Sequence, residues 1–192
     1  MNIEYEATFE NINKNDMRER LKNAGATLAK PEVLMKRKVF NFPSGHELAG
    51  AWLRVRDEAD KITMSLKIIN GDKIEDQKEI CFKIDNFDEG VNFMELIGCE
   101  QKSYQETKRE LWVMDDVEVT IDEWPYLEPI VEIEGKSEKA VKDVSEKLGF
   151  DYSKALFCGI DLLYNRKYGT PYDIINKKTK LITFETPNPF IK

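Results

Sequence analysis

Cysteine, histidine and long apolar runs are all scarce in this chain, and each scarcity removes a class of explanation. The three cysteines, Cys81, Cys99 and Cys158, lie far apart with no C-x-x-C pair. Neither a disulfide framework nor a structural zinc site is signalled, and the thiols are expected to be reduced. The single histidine, His46, sits beside Pro43, Ser44 and Gly45, a setting that suits a surface loop better than a general base. No segment approaches the roughly 18 apolar residues of a membrane span. The N-terminus goes straight into alternating polar and apolar residues, so no membrane association and a cytoplasmic location are expected. Basic excess is missing as well: with a formal net charge of -7 and a pI near 5.0, the chain is a poor candidate for holding long nucleic acid by counterion release. Small phosphorylated ligands, which need only a local basic cluster, stay in play.

What the chain does hold is enough apolar residue for one core: 41% of 192 residues predicts a single domain spanning 1–192, with an irregular tail from about residue 169. Alternation predicts strands over Asn2–Phe9, Val33–Phe42, Trp52–Asp57, Ile62–Ile69, Gln77–Ile84, Tyr104–Met114, Val117–Asp122 and Ile130–Glu134. Helical spacing with glycine stops predicts helices over Asn13–Ala24, Phe87–Ile97, Ser137–Leu148 and about Ser153–Tyr168. The pattern is α+β, built mostly of antiparallel hairpins, and about eight strands suffice to close a barrel.

Charge on one parity of these strands carries the functional information. Glu4 and Glu6 share a face, as do Arg54 and Arg56, and Glu132 and Glu134, because residues two apart in a strand point the same way. Opposite them lie Ile3, Tyr5 and Ala7, then Leu53 and Val55, then Val131 and Ile133. The predicted barrel is therefore wet inside and apolar outside, with helices covering its outer face. Thr63, Ser65 and Lys67, Gln77 and Glu79, Thr107 and Arg109, and Glu118, Thr120 and Asp122 supply further polar faces. A single E-x-E or R-x-R is usually a solvated face. Two acidic pairs and a basic one on separate strands suit a polyanion held with a metal, since carboxylates are hard ligands for Mg²⁺ or Mn²⁺ and guanidinium groups fork onto phosphate oxygens.

The order of these residues resembles the CYTH, or triphosphate tunnel metalloenzyme, superfamily. I-E-Y-E-A-T at Ile3–Thr8 resembles its ExExK signature, L-R-V-R at Leu53–Arg56 its LRxR strand, and M-S-L-K ending at Lys67 the strand that follows. Glu79 sits where the family has an acidic residue, K-R-E-L-W around Arg109 resembles its R-x-x-Y/W strand, and Asp122 followed by P-I-V-E-I-E-G resembles its closing pattern. The resemblance implies a closed eight-stranded antiparallel tunnel with helices packed outside. It also implies a small-molecule triphosphate as ligand and Mg²⁺ or Mn²⁺ as cofactor. Glu4 and Glu6 are then the catalytic carboxylates, and Glu4, Glu6, Glu79, Asp122, Glu132 and Glu134 the metal set. Arg54, Arg56, Lys67 and Arg109 are the triphosphate contacts. Expected activities are hydrolysis of inorganic, thiamine or nucleoside triphosphate, or alternatively cyclisation of ATP to cyclic AMP, or binding of a phosphorylated ligand or other anion without turnover. Pairing as a homodimer is left open.

Two departures stand out: the lysine that closes ExExK is Thr8 here, and the lysine two positions before the motif arginine is Thr107. Lys36 or Lys38 could compensate from the second strand, and Lys154, Arg166 or Lys167 from a late helix. Lys108 has the wrong parity for the tunnel. Trp52, Trp112 and Trp124 are expected as wall and core, with base stacking the alternative.

Overall fold

Residues 1–191 are described by the computed structural model of the chain. Alternation becomes strands β1 (Asn2–Ile3), β2 (Tyr5–Phe9), β3 (Thr27–Asn41), β4 (Ala51–Asp57), β5 (Ile62–Ile69), β6 (Gln77–Ile84), β7 (Glu100–Met114), β8 (Val117–Glu123), β9 (Ile130–Gly135) and β10 (Leu181–Ile182). Helices α1 (Lys14–Asn23), α2 (Phe87–Leu96), α3 (Glu138–Lys147) and α4 (Ile160–Tyr168) are inserted among them. Asn13, Asn86 and Ser137 cap the first three with side-chain oxygens, satisfying N–H groups that the first turn leaves unpaired.

The sheet order is β1-β6-β5-β4-β3-β7-β8-β9-β2, with β10 lying parallel to β7 off this path. Both ends of the path belong to the N-terminal strand, which breaks once at Glu4. Nine strands thus form eight staves of a nearly closed antiparallel barrel, as the sequence resemblance implied.

Closure is incomplete along one seam. Glu4 N–H donates to the Gln77 carbonyl at 3.0 Å; beyond it β2 parts from β6. The Gln77 amide then donates to the Glu6 carbonyl at 2.7 Å. Thr8 exchanges backbone hydrogen bonds with Leu156 at 2.9 and 3.0 Å. These contacts satisfy backbone groups that the missing ladder would otherwise orphan.

The apolar outer face is buried under helices. Ala7, Val119, Ile121, Val131 and Ile133 pack with Met17 and Leu21 of α1 and Val141 and Val144 of α3. Leu53, Val55 and Met64 pack against Val91 and Met94 of α2. Each fully buried side chain of this size contributes about 1.5–3 kcal/mol. Gly90 lets α2 approach closely, since a Cβ there would lie 2.4 Å from Ile84 Cδ1.

Three expectations need correction. β3 and β7 each run 15 residues, longer than Val33–Phe42 and Tyr104–Met114, because register shifts at Leu28/Lys30, Lys30/Val33 and Val39/Phe40 reset the alternation. The helix expected from Ser153 begins only at Ile160. A 3₁₀ turn occupies Tyr152–Lys154, and the chain after it is used to pair Leu156 with Thr8. The tail past residue 169 is not simply irregular: it carries a π-helical turn at Ile174–Lys178 and β10, and it buries Ile175, Ile182 and Phe190 against Tyr164.

Candidate functional site

Strand parity sends the polar side chains inward, where they line a cavity of about 1060 Å³ including its open mouth. Glu4, Glu6, Arg54, Arg56, Lys67, Glu79, Arg109, Glu132 and Glu134 all reach it. Asp122, 1% exposed, lies behind Arg109, accepting from its Nε and Nη2 at 2.7 and 2.6 Å. Every residue expected at the site is thus in or directly behind one tunnel.

The carboxylates separate by partner. Glu4, Glu6 and Glu134 place one oxygen each within 4.8 Å of one another. Lys67 Nζ stands between two of them, 2.7 Å from Glu4 and 3.2 Å from Glu6. The other three are taken by arginines: Glu79 accepts from Arg54 at 2.9 Å, while Asp122 and Glu132 both hold Arg109.

The acidic trio outnumbers its single ammonium, and the protonation equilibria register it. Desolvation, then Glu6, push the Glu4 carboxyl above its ordinary value, against Lys67. Desolvation also raises Glu6. At the solvent-exposed mouth, burial of the carboxyl and the neighbouring Glu6 and Glu4 push Glu134 up to about 8. Burial works against the Lys67 ammonium, but Glu6, Glu4 and Glu79 outweigh it and hold it charged. Glu79 moves down, since Arg54, Lys67 and Arg56 overcome its desolvation. A divalent cation fits the trio: hard oxygen donors converge, and the cation would neutralise carboxylates that burial first, and then like-charged neighbours, make costly to ionise.

The basic group contains an arginine that sequence reasoning passed over. Arg37 in β3, 5% exposed, lines the cavity beside Arg54, Arg56 and Arg109. Its Nη2 donates to Thr107 Oγ1, and its guanidinium lies 4.6 Å from the centre of the Trp124 ring, a cation–π distance. Of the two candidates for compensation from this strand, Lys36 is exposed and Lys38, half-buried, shares its parity. The late-helix candidates also lie elsewhere: Lys154, Arg166 and Lys167 pair with Asp151, Glu10 and Glu128. Lys102, at the unpredicted start of β7, does line the cavity, and burial lowers its pKa.

Of the tryptophans, Trp52 and Trp124 line the cavity, whereas Trp112 is core and donates to Glu110 at 2.7 Å. Lys108 is on the outer parity, bonded to Glu123. His46 is exposed. The C-terminal segment adds Ile160, Asp161, Ile175, Asn176 and Ile182 to the lining. No motif foreshadowed these. Among the described residues no helix is long and apolar enough to cross a membrane.

Solved structures share this architecture. The PH1012 protein of Pyrococcus horikoshii OT3 superposes with a TM-score of 0.66 at 19% identity, covering 79% of this chain and 93% of that one. A candidate adenylate cyclase from Vibrio parahaemolyticus gives a TM-score of 0.68 at 12% identity, over 80% and 92%. The Hippeastrum candidate adenylyl cyclase HpAC1, described as revealing a dominant triphosphatase activity, gives 0.55 at 13%, over 88% and 99%. Among curated proteins, none matches the sequence. Residues 2–159 match the family described as the CYTH domain, so the chain belongs to the CYTH family.

Proposed function

We propose that the tunnel binds a short triphosphate with a divalent metal and hydrolyses its terminal phosphate. One observation carries this reading: three carboxylate oxygens within 4.8 Å of one another share a nearly closed tunnel with Arg37, Arg54, Arg56 and Arg109. Glu4, Glu6 and Glu134 would hold Mg²⁺ or Mn²⁺. When bound, such an ion polarises phosphoryl oxygen and lowers the pKa of water.

The chain's own residues do the rest. Arg54, Arg56 and Arg109 carry planar guanidinium groups whose geometry suits phosphate oxygens. Glu79, Asp122 and Glu132, expected from sequence among the metal ligands, act instead through the arginines they hold, fixing the forks before the anion arrives. Lys67 stands between Glu4 and Glu6 and would turn its ammonium from carboxylate to phosphoryl oxygen when the anion binds. The surrounding strands keep the chain of phosphates away from bulk water, which strengthens each of these contacts.

The test is a screen of inorganic triphosphate, thiamine triphosphate, ATP and GTP with Mg²⁺ or Mn²⁺, reading orthophosphate, pyrophosphate and cyclic nucleotide together. Orthophosphate released with metal and abolished by EDTA is expected. A second reading, cyclisation of ATP, is favoured by the Trp52, Ile69, Ile160, Ile175 and Ile182 lining, an apolar wall suited to a nucleobase. Cyclic AMP and pyrophosphate in equal amounts would establish it. Binding without any product would leave an anion-binding module.

A further inference from the structure

We propose that Arg37 is a phosphate-gripping residue of this tunnel, delivering from β3 the positive charge that the threonine at 107 does not supply from β7. The inference rests on the triphosphate reading and names the residue on which its anion grip depends.

The argument starts from the cost of the arrangement. A guanidinium taken out of water needs a compensating partner. Arg54 has Glu79, Arg56 has Glu58 at 2.7 Å, and Arg109 has both Asp122 and Glu132. Arg37 is the most enclosed of the four, yet among the described residues it pairs with no carboxylate. One nitrogen reaches the Thr107 hydroxyl, and its Nε has no protein partner. Burial, then the charges of Arg56, Arg54 and Arg109, weaken its hold on its proton. Only Asp122, already held by Arg109, attracts it, and a fold does not keep so weakly compensated a guanidinium among three others for stability. An anion entering the cavity meets all four and supplies the missing counter-charge.

Register explains why the charge comes from this strand. Met35 is opposite Thr107 and Arg37 opposite Gln105, while Arg37 is also opposite Arg56 on β4. The arginine therefore reaches diagonally across one strand step to Thr107 and occupies the space into which a long side chain at 107 would extend. Trp124 forms the floor beneath the guanidinium plane, fixing its orientation. Small hydroxyl at 107 and long guanidinium at 37 form one unit: each makes room for the other.

Calorimetry with sodium tripolyphosphate, together with thermal melts, tests this on wild type, R37M, T107K and the double variant. R37M should bind about 10- to 100-fold more weakly, as expected for loss of a charged hydrogen-bonding partner. Its melt without tripolyphosphate should be no lower than wild type, because the lost charge was uncompensated. T107K alone should weaken binding by crowding a second cation against Arg37. T107K added to R37M should recover most of the affinity, which a merely structural role for Arg37 would not allow. If R37M does not fold, R37Q, which retains a polar contact for Thr107, takes its place. Wild-type affinity in the R37 variant, or a double variant no better than the single, overturns the assignment. No tripolyphosphate binding by wild type instead overturns the functional reading beneath it.

Discussion

The acidic trio and the arginine group share one tunnel but solve opposite problems. At Glu4, Glu6 and Glu134, three carboxylates face one ammonium. Across the cavity, Arg54, Arg56 and Arg109 each have a carboxylate and only Arg37 lacks one. The first region is unfinished as a whole and the second at a single residue. A cation completes the one and an anion the other, and a metal–triphosphate complex brings both at once. Paired arginines are mainly structural until a ligand arrives. On the proposed reading, the unpaired one is kept for the ligand.

The sharpest way to break that contrast is R109M. It leaves Asp122, 1% exposed, and Glu132 as buried carboxylates without a counter-ion, a loss of about 3–5 kcal/mol. The melting temperature should fall by roughly 10 °C. A fall no larger than that of R37M would mean that paired and unpaired arginines do not differ.

E4Q/E6Q attacks the acidic side and should lower metal-dependent turnover by more than about 100-fold, since changes even to outer-shell groups cost 10–100-fold. Relief of like-charge repulsion alone would predict a gain in stability. Lys67 reverses the sign, because its buried ammonium loses both anionic partners, and a cost of about 2 kcal/mol is expected while the amide oxygens still accept. Adding K67M should return the melt toward wild type. Turnover unchanged in E4Q/E6Q would remove these carboxylates from the chemistry.

The smallest effect is in protons. Glu134 moves from 4.5 to about 8 in the folded chain, so between those values the metal-free fold binds more protons than the unfolded chain. Its stability therefore falls as pH rises through that window, and metal affinity rises over the same range. Solvent at the mouth tempers the size, not the sign. Near pH 7, binding of Mn²⁺ should release up to about one proton, measurable by calorimetry in buffers of different ionisation enthalpy. E134Q should release less.

Most of the barrel was legible because its parity survives in the sequence. Arg54, Arg56 and Lys67 sit on unbroken strands, Glu4 and Glu6 keep their sequence alternation across the break at Glu4, and all reach the cavity. Arg37 was hidden because Lys36 and Lys38 flank it, putting positive charge on both faces so that parity picks out neither. Continuing the inward parity of Met35 would have found it. Lys102 was missed because the start of β7 was missed, its partner strand being bulged. Asp161 of α4 and Asn176 of the tail reach the cavity through tertiary folding, for which no local period exists.

The seam has a consequence for how the molecule is made. The residues that seal the barrel, Tyr5–Phe9, are made before the rest of it, yet their partners are Val131–Gly135 and Leu156. Lys67 and Gln77 can meet Glu4 and Glu6 early, but the β9 partners of β2 emerge only after more than a hundred later residues. Contacts so distant in sequence make closure slow, and the nascent chain carries an open sheet edge until then. The acidic trio, drawn from both sides of that closing step, cannot exist before it. A chain stalled or cut short of Ile130 should retain much of its strand content and lack the cluster altogether.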